Sequence, residues 1–266
     1  MQTTCHFRSL DGTSLSGDFL EATGTKKETV LLIHGAGVDR HEDGFYDRAA
    51  DVLRTAGLGV FRFDLRGHGD SEGGPEDLTI AGALNDILAA SLQAEHFTGG
   101  QPVFAIGSSF GGGLLALAAM RMNLRRIVFV NPLLKFRKRF LEDKSFWSER
   151  GLSSDACAQL ESHGTIPHVG PIVMNRAFIN EVVWLDPSDL VTRLSAEALV
   201  LHGTADSRAP FAVASQWATR IGARLQAFEG AEHGLAVADD DDFTDPQTLS
   251  WQGSALQMAA DWFSAS

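Results

Sequence analysis

The stretch Val103-Phe-Ala-Ile-Gly-Ser-Ser-Phe-Gly-Gly-Gly-Leu-Leu-Ala-Leu-Ala118 decides the fold. Val103 to Ile106 is an apolar run without polar alternation, the pattern of a strand covered on both faces. Phe110 to Met122 then reads as a helix. Between the two stands Gly107-Ser108-Ser109-Phe110-Gly111, which fits Gly-x-Ser-x-Gly. In that context the serine occupies a strained turn, and the flanking glycines let neighbouring backbone pass without a Cβ clash. The register is fixed, because centring the pattern on Ser108 would put Ile106 and Phe110 where glycines are needed. Ser109 is the candidate nucleophile.

The same alternation extends in both directions. Val30 to Ile33, Gly59 to Phe63, Ile127 to Val130 and Ala198 to Leu201 read as further buried strands, with Tyr46 to Thr55, Thr79 to Gln93 and Phe211 to Ile221 as helices. Strand and helix in turn imply right-handed crossovers, and so an α/β fold: a mostly parallel, twisted sheet with helices on both faces. Cys5 to Leu20, with its Asp11-Gly12 turn, reads as an antiparallel hairpin at the sheet edge. A last helix over about Ser254 to Phe263 closes the fold. The rhythm breaks once, between Pro132 and about Asp186, a length unusual for one connection. Residues 133–185 are therefore expected to form a small helical cap over the substrate, inserted into a core domain made of 1–132 and 186–266.

A serine hydroxyl is a weak nucleophile at neutral pH. It needs an imidazole to accept its proton and a carboxylate to hold that imidazole in one tautomer. After Ala198 to Leu201 comes His202-Gly203-Thr204-Ala205-Asp206, and beyond a further strand-like run, Leu225 to Phe228, comes Glu232-His233-Gly234. Asp206 and His233 complete the order Ser, Asp, His expected on such a sheet. Each falls after the carboxyl end of a strand, where open α/β sheets place their sites. Among the other histidines, His6, His41, His96, His163 and His168 occupy places with no triad logic, and His68 and His202 sit in turns where hydrogen bonding to backbone suffices. His34-Gly35-Ala36-Gly37 supplies small residues where backbone N–H groups must approach a developing oxyanion. The expected donors are the amides of Ala36 and Phe110, and His34 reads as a structural hydrogen-bonding residue.

Together with Phe63-Asp-Leu-Arg-Gly-His-Gly-Asp-Ser71, these motifs resemble the α/β-hydrolase superfamily, specifically its serine-hydrolase branch, over about Val30 to Gly234. The inserted segment and the Gly-Ser-Ser-Phe-Gly-Gly elbow are similar to feruloyl (cinnamoyl) esterases and to small acyl hydrolases and thioesterases of bacterial secondary metabolism. The resemblance implies an α/β-hydrolase fold, a catalytic triad with an oxyanion hole, and hydrolysis through an acyl-enzyme without metal or organic cofactor. Ala209 departs from the valine usual in the family's Asp-x-x-Val-Pro turn, a packing position beside the acid. Serine rather than aspartate at the elbow disfavours a dehalogenase or epoxide hydrolase.

Composition sets the limits around this reading. With 266 residues, 44% apolar and 21% charged, the chain has a sizeable core and little room for extended disorder. A net charge of −12 repels nucleic acid and anionic membrane. Cys5 and Cys157 form no disulfide framework and match no metal-ligand spacing, and Cys157 reads as buried. The first residues lack a basic stretch followed by an apolar run, and no apolar run nears the roughly 20 residues that span a bilayer. The expectation is a cytoplasmic serine esterase acting on a small-molecule ester or thioester with a small, aromatic or apolar acyl group, as a monomer or homodimer. A thioesterase, amidase, cyclase or C–C bond hydrolase would use the same residues, and a non-catalytic ligand receptor is the reading from another class. Lys135-Phe-Arg-Lys-Arg139 stands out as basic; it is either solvated surface or an attractor for a substrate carboxylate or the phosphopantetheine of an acyl carrier protein. Asp64 and Arg66 read as a structural ion pair or turn lock for Gly67 to Gly69, and Asp239 to Asp242 as a solvated loop without the calcium-loop pattern.

Overall fold

Unbroken apolar runs build the central layer. The computed structural model describes residues 1–24, 28–167, 172–189 and 194–265. Its first half holds β1 (Gln2–Arg8), β2 (Ser14–Leu20), β3 (Thr29–Ile33), α1 (Phe45–Thr55), β4 (Gly59–Phe63), α2 (Ile80–Thr98), β5 (Val103–Ser108), α3 (Ser109–Ala118) and β6 (Leu124–Val130). The second half holds β7 (Trp147–Ser148), β8 (Gly151–Leu152), α4 (Ser154–His163), β9 (Thr165–Pro167), β10 (Val173–Asn175), α5 (Arg176–Trp184), β11 (Glu197–Gly203), α6 (Phe211–Ile221), β12 (Arg224–Phe228) and α7 (Pro246–Ser264).

Eight strands form one sheet in the order β1-β2-β4-β3-β5-β6-β11-β12. The β1·β2 hairpin at the edge and the β2·β4 pair are antiparallel, and the remaining pairs are parallel. Every residue of β3, β4 and β5 is buried, which is why these strands carry no polar alternation. Successive side chains serve opposite faces. Leu31 and Ile33 join α2, α3 and α6 in one core, whereas Val30 and Leu32 join α1 and α7 in the other. The mostly parallel sheet covered on both faces is the architecture expected from the alternation. Several boundaries differ, with α2 running on to Thr98 and α3 ending at Ala118, and most of all α7, which begins at Pro246 rather than near Ser254. The Asp245 carboxylate accepts from the Gln247 amide at 2.7 Å and Pro246 occupies the first helical position, start signals that apolar periodicity does not register.

Between β6 and β11 the chain leaves the sheet. The expected helical cap contains α4, α5 and a π-helical turn at Lys138–Glu142, but also the two short ribbons β7·β8 and β9·β10. Its apolar bulk packs inward. Phe136, Phe140 and Phe178 are buried in the same core as α2 and α3, and their rings lie 5.2, 5.8 and 6.5 Å from the ring of Phe110. Each such buried ring contributes on the order of 1.5–3 kcal/mol. Three of the four cations in the basic stretch pair with acids: Lys135 with Asp186 and Asp189, each at 3.5 Å, Arg137 with Glu142 at 2.9 Å, and Lys138 with Asp143.

Asp64 and Arg66 do lock the loop after β4, but not by pairing with each other. Asp64 is held by the Arg40 guanidinium and accepts from the Asp70 amide at 2.9 Å. Arg66 reaches Asp86 and Asp11, each at 2.7 Å. These partners are distant in sequence, so proximity along the chain misleads here. Cys157, expected to be buried, is exposed on α4.

Candidate active site

The turn that joins β5 to α3 is built by glycine. Ser109 has a φ of 49°, a left-handed backbone that non-glycine residues adopt at a cost of about 1–3 kcal/mol when the surroundings enforce it. A Cβ on Gly111 would lie 2.2 Å from the His34 carbonyl oxygen and 2.4 Å from that of Ile33. One on Gly107 would lie 2.8 Å from the Gly111 carbonyl oxygen. The end of β3 therefore passes directly against the elbow, which brings His34 to Ala36 beside Ser109. Gly111→Ala is expected to destabilise the protein by about 3 kcal/mol, at the upper end for overpacking, because the obstacle is backbone rather than a movable side chain. The urea midpoint measures it.

Three predicted residues converge on this turn. His233 Nε2 lies 2.8 Å from Ser109 Oγ, and His233 Nδ1 lies 2.8 Å from Asp206 Oδ2. Asp206 itself is buried after β11. Burial alone would push its carboxyl up, but hydrogen bonds from the His202 and His233 side chains and from the Ala209 amide outweigh it and hold the group well below the usual carboxylate range. Its Oδ1 accepts the amides of Arg208 at 2.9 Å and Ala209 at 2.8 Å. The amides of Ala36, which lines the cleft with Ser109, and of Phe110, the next residue along, have no hydrogen-bond acceptor among the described residues.

The loop carrying Ala36 is braced by two histidines. His34 Nε2 accepts the Leu65 amide at 3.0 Å, which leaves Nδ1–H to donate to the Gly35 carbonyl at 2.7 Å. Burial, reinforced by neighbouring His68, pulls its pKa down to about 3, so the ring is neutral. His68 Nε2 in turn accepts the Gly37 amide at 3.3 Å. His202 Nε2 lies 2.7 Å from the Ala209 carbonyl oxygen. His6, His41, His96 and His163 lie away from the site, and His168 falls outside the described residues.

A cleft of about 120 Å³ opens onto Ser109 and His233. The sequence reading put the substrate beneath residues 133–185, yet none of the described residues of that segment lines this cleft. Its walls come instead from the loops after β3, β6, β11 and β12, through Val38, Glu42, Asn131, Arg208 and Phe243.

A model of the alpha/beta hydrolase family matches residues 30–245. The chain belongs to that family. It is similar to human monoglyceride lipase, with 33% identity over 135 residues, which cover 48% of this chain and 42% of the lipase. A monoglyceride lipase homolog of monkeypox virus is 31% identical over 120 residues, 45% of this chain and 42% of the viral protein. These matches span less than half the length of either relative. The solved structure of Est1E from Butyrivibrio proteoclasticus with ferulic acid bound superposes with a TM-score of 0.77 at 17% identity, covering 98% of this chain and 100% of that one, a likeness of fold.

This alpha/beta hydrolase also uses residues that the motifs did not reveal. The Asn131 side-chain amide donates to Asp206 Oδ2, and its backbone is left-handed, with a φ of 42°. Asn is the side chain that best tolerates that conformation, so Asn131-Pro132 at the end of β6 was the available signal. Glu232, beside His233, accepts the Ser207 amide at 3.0 Å and its hydroxyl at 2.9 Å, which ties the acid loop to the histidine loop. The acidic run read as plain solvated loop borders the mouth: Asp239, Asp240 and Asp241 line a second depression beside His233.

Proposed function

We propose that this alpha/beta hydrolase is a serine esterase that cleaves a carboxylic ester through an acyl-enzyme. The reading is supported chiefly by the unbroken hydrogen-bond chain from Ser109 Oγ through His233 to Asp206, with the unengaged amides of Ala36 and Phe110 close to the same serine. Ser109 Oγ attacks the acyl carbon while its proton passes to His233 Nε2, and the carbonyl π pair moves onto oxygen, where the Ala36 and Phe110 N–H groups receive it. The imidazolium, held by Asp206, then gives its proton to the departing alkoxide as the C–O bond breaks. Water repeats the sequence on the acyl-enzyme and restores Ser109. No step calls for a metal or organic cofactor.

Substrate selection is assigned to the loops after β3 and β12, and the 133–185 insert to support behind Phe110. The site takes a small-molecule ester in this reading; a thioester on a carrier would follow the same steps. A fluorophosphonate probe tests it: the wild-type protein is expected to label and Ser109→Ala to stay unlabelled, and labelling that persists in the variant would overturn the nucleophile. Matched aryl esters and acyl thioesters, ranked by kcat/KM, separate esterase from thioesterase. Tight binding of every such compound without turnover would replace the esterase with a ligand receptor.

A further inference from the structure

We propose that Glu42 is a positioning residue for ester cleavage: it anchors the oxyanion loop through the Gly35 amide and must be uncharged for the oxyanion to form beside it. The proposal rests on Ser109 acting as the nucleophile.

Geometry places the carboxyl at the reaction. Glu42 lines the cleft with Ser109, and its Oε2 accepts the Gly35 N–H at 2.6 Å. A Cβ built on Gly35 would lie 3.1 Å from Glu42 Oε1 and 3.5 Å from Ser109 Cβ, so carboxyl and nucleophile face each other across one glycine. With Gly35 N–H engaged, the next amide, that of Ala36, remains free for the oxyanion. The chain accepts strain to make this approach: Glu42 and Asp43 both have a φ of 49°, followed by Gly44 at 79°. Left-handed backbone at two consecutive non-glycine residues persists only where the surroundings enforce it, and such sites cluster where function needs them.

The surroundings disfavour a charge on that carboxyl. Burial pushes Glu42 up to about 8 against the pull of the Gly35 amide, and Asp43 and Asp39 on its own loop push the same way. Arg40, two residues earlier, is engaged by Asp18, Asp64 and Asp70. From α1, Tyr46 is buried, and its phenol is raised by that burial and by Glu42. Ser108 and Ser109 at the β5–α3 turn carry no charge. Across the cleft stand Arg208 and His233, of which the arginine is exposed. A neutral carboxyl accepts from Gly35 and keeps one O–H to donate into the cleft. An ionised one would set a full negative charge in the same cleft as the developing oxyanion, and repulsion between like charges there slows the step.

The test compares pH profiles of kcat on a neutral aryl ester for wild type, Glu42→Gln and Glu42→Ala, with fluorophosphonate labelling of wild type and Ser109→Ala run alongside. Wild-type kcat is expected to fall on the alkaline side with a midpoint near pH 8. Glutamine keeps an oxygen for Gly35 and cannot ionise, so its kcat at pH 9.5 relative to pH 6.5 is expected to exceed the wild-type ratio at least tenfold. Alanine releases the Gly35 anchor and is expected to lose about 100-fold in kcat with much less change in KM, the size of a lost oxyanion donor. An alkaline fall that is absent from wild type, or that persists in Glu42→Gln, overturns the proposal, and so does an alanine variant as active as glutamine. If alanine does not fold, the glutamine ratio decides alone. Labelling that survives Ser109→Ala instead removes the esterase reading beneath it, a result independent of the pH ratio.

Discussion

Ser109→Ala is expected to lower kcat on an activated ester by roughly 10⁶-fold, the loss seen when the nucleophile of a working triad is removed. The loss is large because the other groups act through this oxygen. In the proposed mechanism His233 Nε2, 2.8 Å away, has no other hydroxyl to deprotonate within the chain of hydrogen bonds, and the Ala36 and Phe110 amides would stabilise a charge that forms only after attack. Stability should hardly change. Alanine fits the left-handed turn as well as serine, and the lost bond to a half-buried imidazole is worth about 1 kcal/mol. A thermal melt within a few degrees of wild type, together with a residual rate near the buffer background, is the expected pair of results. Appreciable turnover in the folded variant would assign the chemistry elsewhere.

Asp206→Asn should cost roughly 10⁴-fold in kcat, because an amide in place of the carboxylate favours the wrong histidine tautomer. The position is unusually demanding. Five donors converge on it: the Asn131, His202 and His233 side chains and the amides of Arg208 and Ala209. Asparagine brings its own N–H₂ against at least one of them, and a buried donor left unsatisfied costs about 1–3 kcal/mol. The substitution therefore lowers stability as well as rate, unlike Ser109→Ala. It also changes the response to acid. The folded Asp206 carboxyl is depressed below its unfolded value, so its ionisation stabilises the fold at neutral pH, and that contribution fades as pH falls below about 4. Urea midpoints from pH 7 to pH 3 should fall less steeply in Asp206→Asn than in wild type; equal slopes would mean that the carboxyl is not held down.

The elements that the sequence made legible are those whose cause is local. Gly107 and Gly111 announce the elbow because backbone passes within van der Waals distance of them, and no other residue type fits. Apolar runs announce β3, β4 and β5 because both faces are buried. Chain order then pointed to Asp206 and His233, which the fold brings to Ser109. What stayed hidden depends on contacts between distant segments. Nothing near Asp64 predicts Arg40 as its partner, and nothing near Glu42 predicts the Gly35 amide. The role of the insert stayed open for a similar reason: its phenylalanines suit a substrate wall and a core equally well, and their burial against Phe110 favours the core.

That clasp has a consequence for how this protein could change. The ring of Phe110, the residue after Ser109, meets three rings of the insert. The insert is thus not modular in the way an exchangeable lid would be. A graft from another hydrolase would have to bring replacements for Phe136, Phe140 and Phe178 at matching positions, or else loosen the residue beside Ser109. Substitutions in the loops after β3 and β12, at cleft-lining residues such as Val38 and Phe243, would leave the clasp untouched.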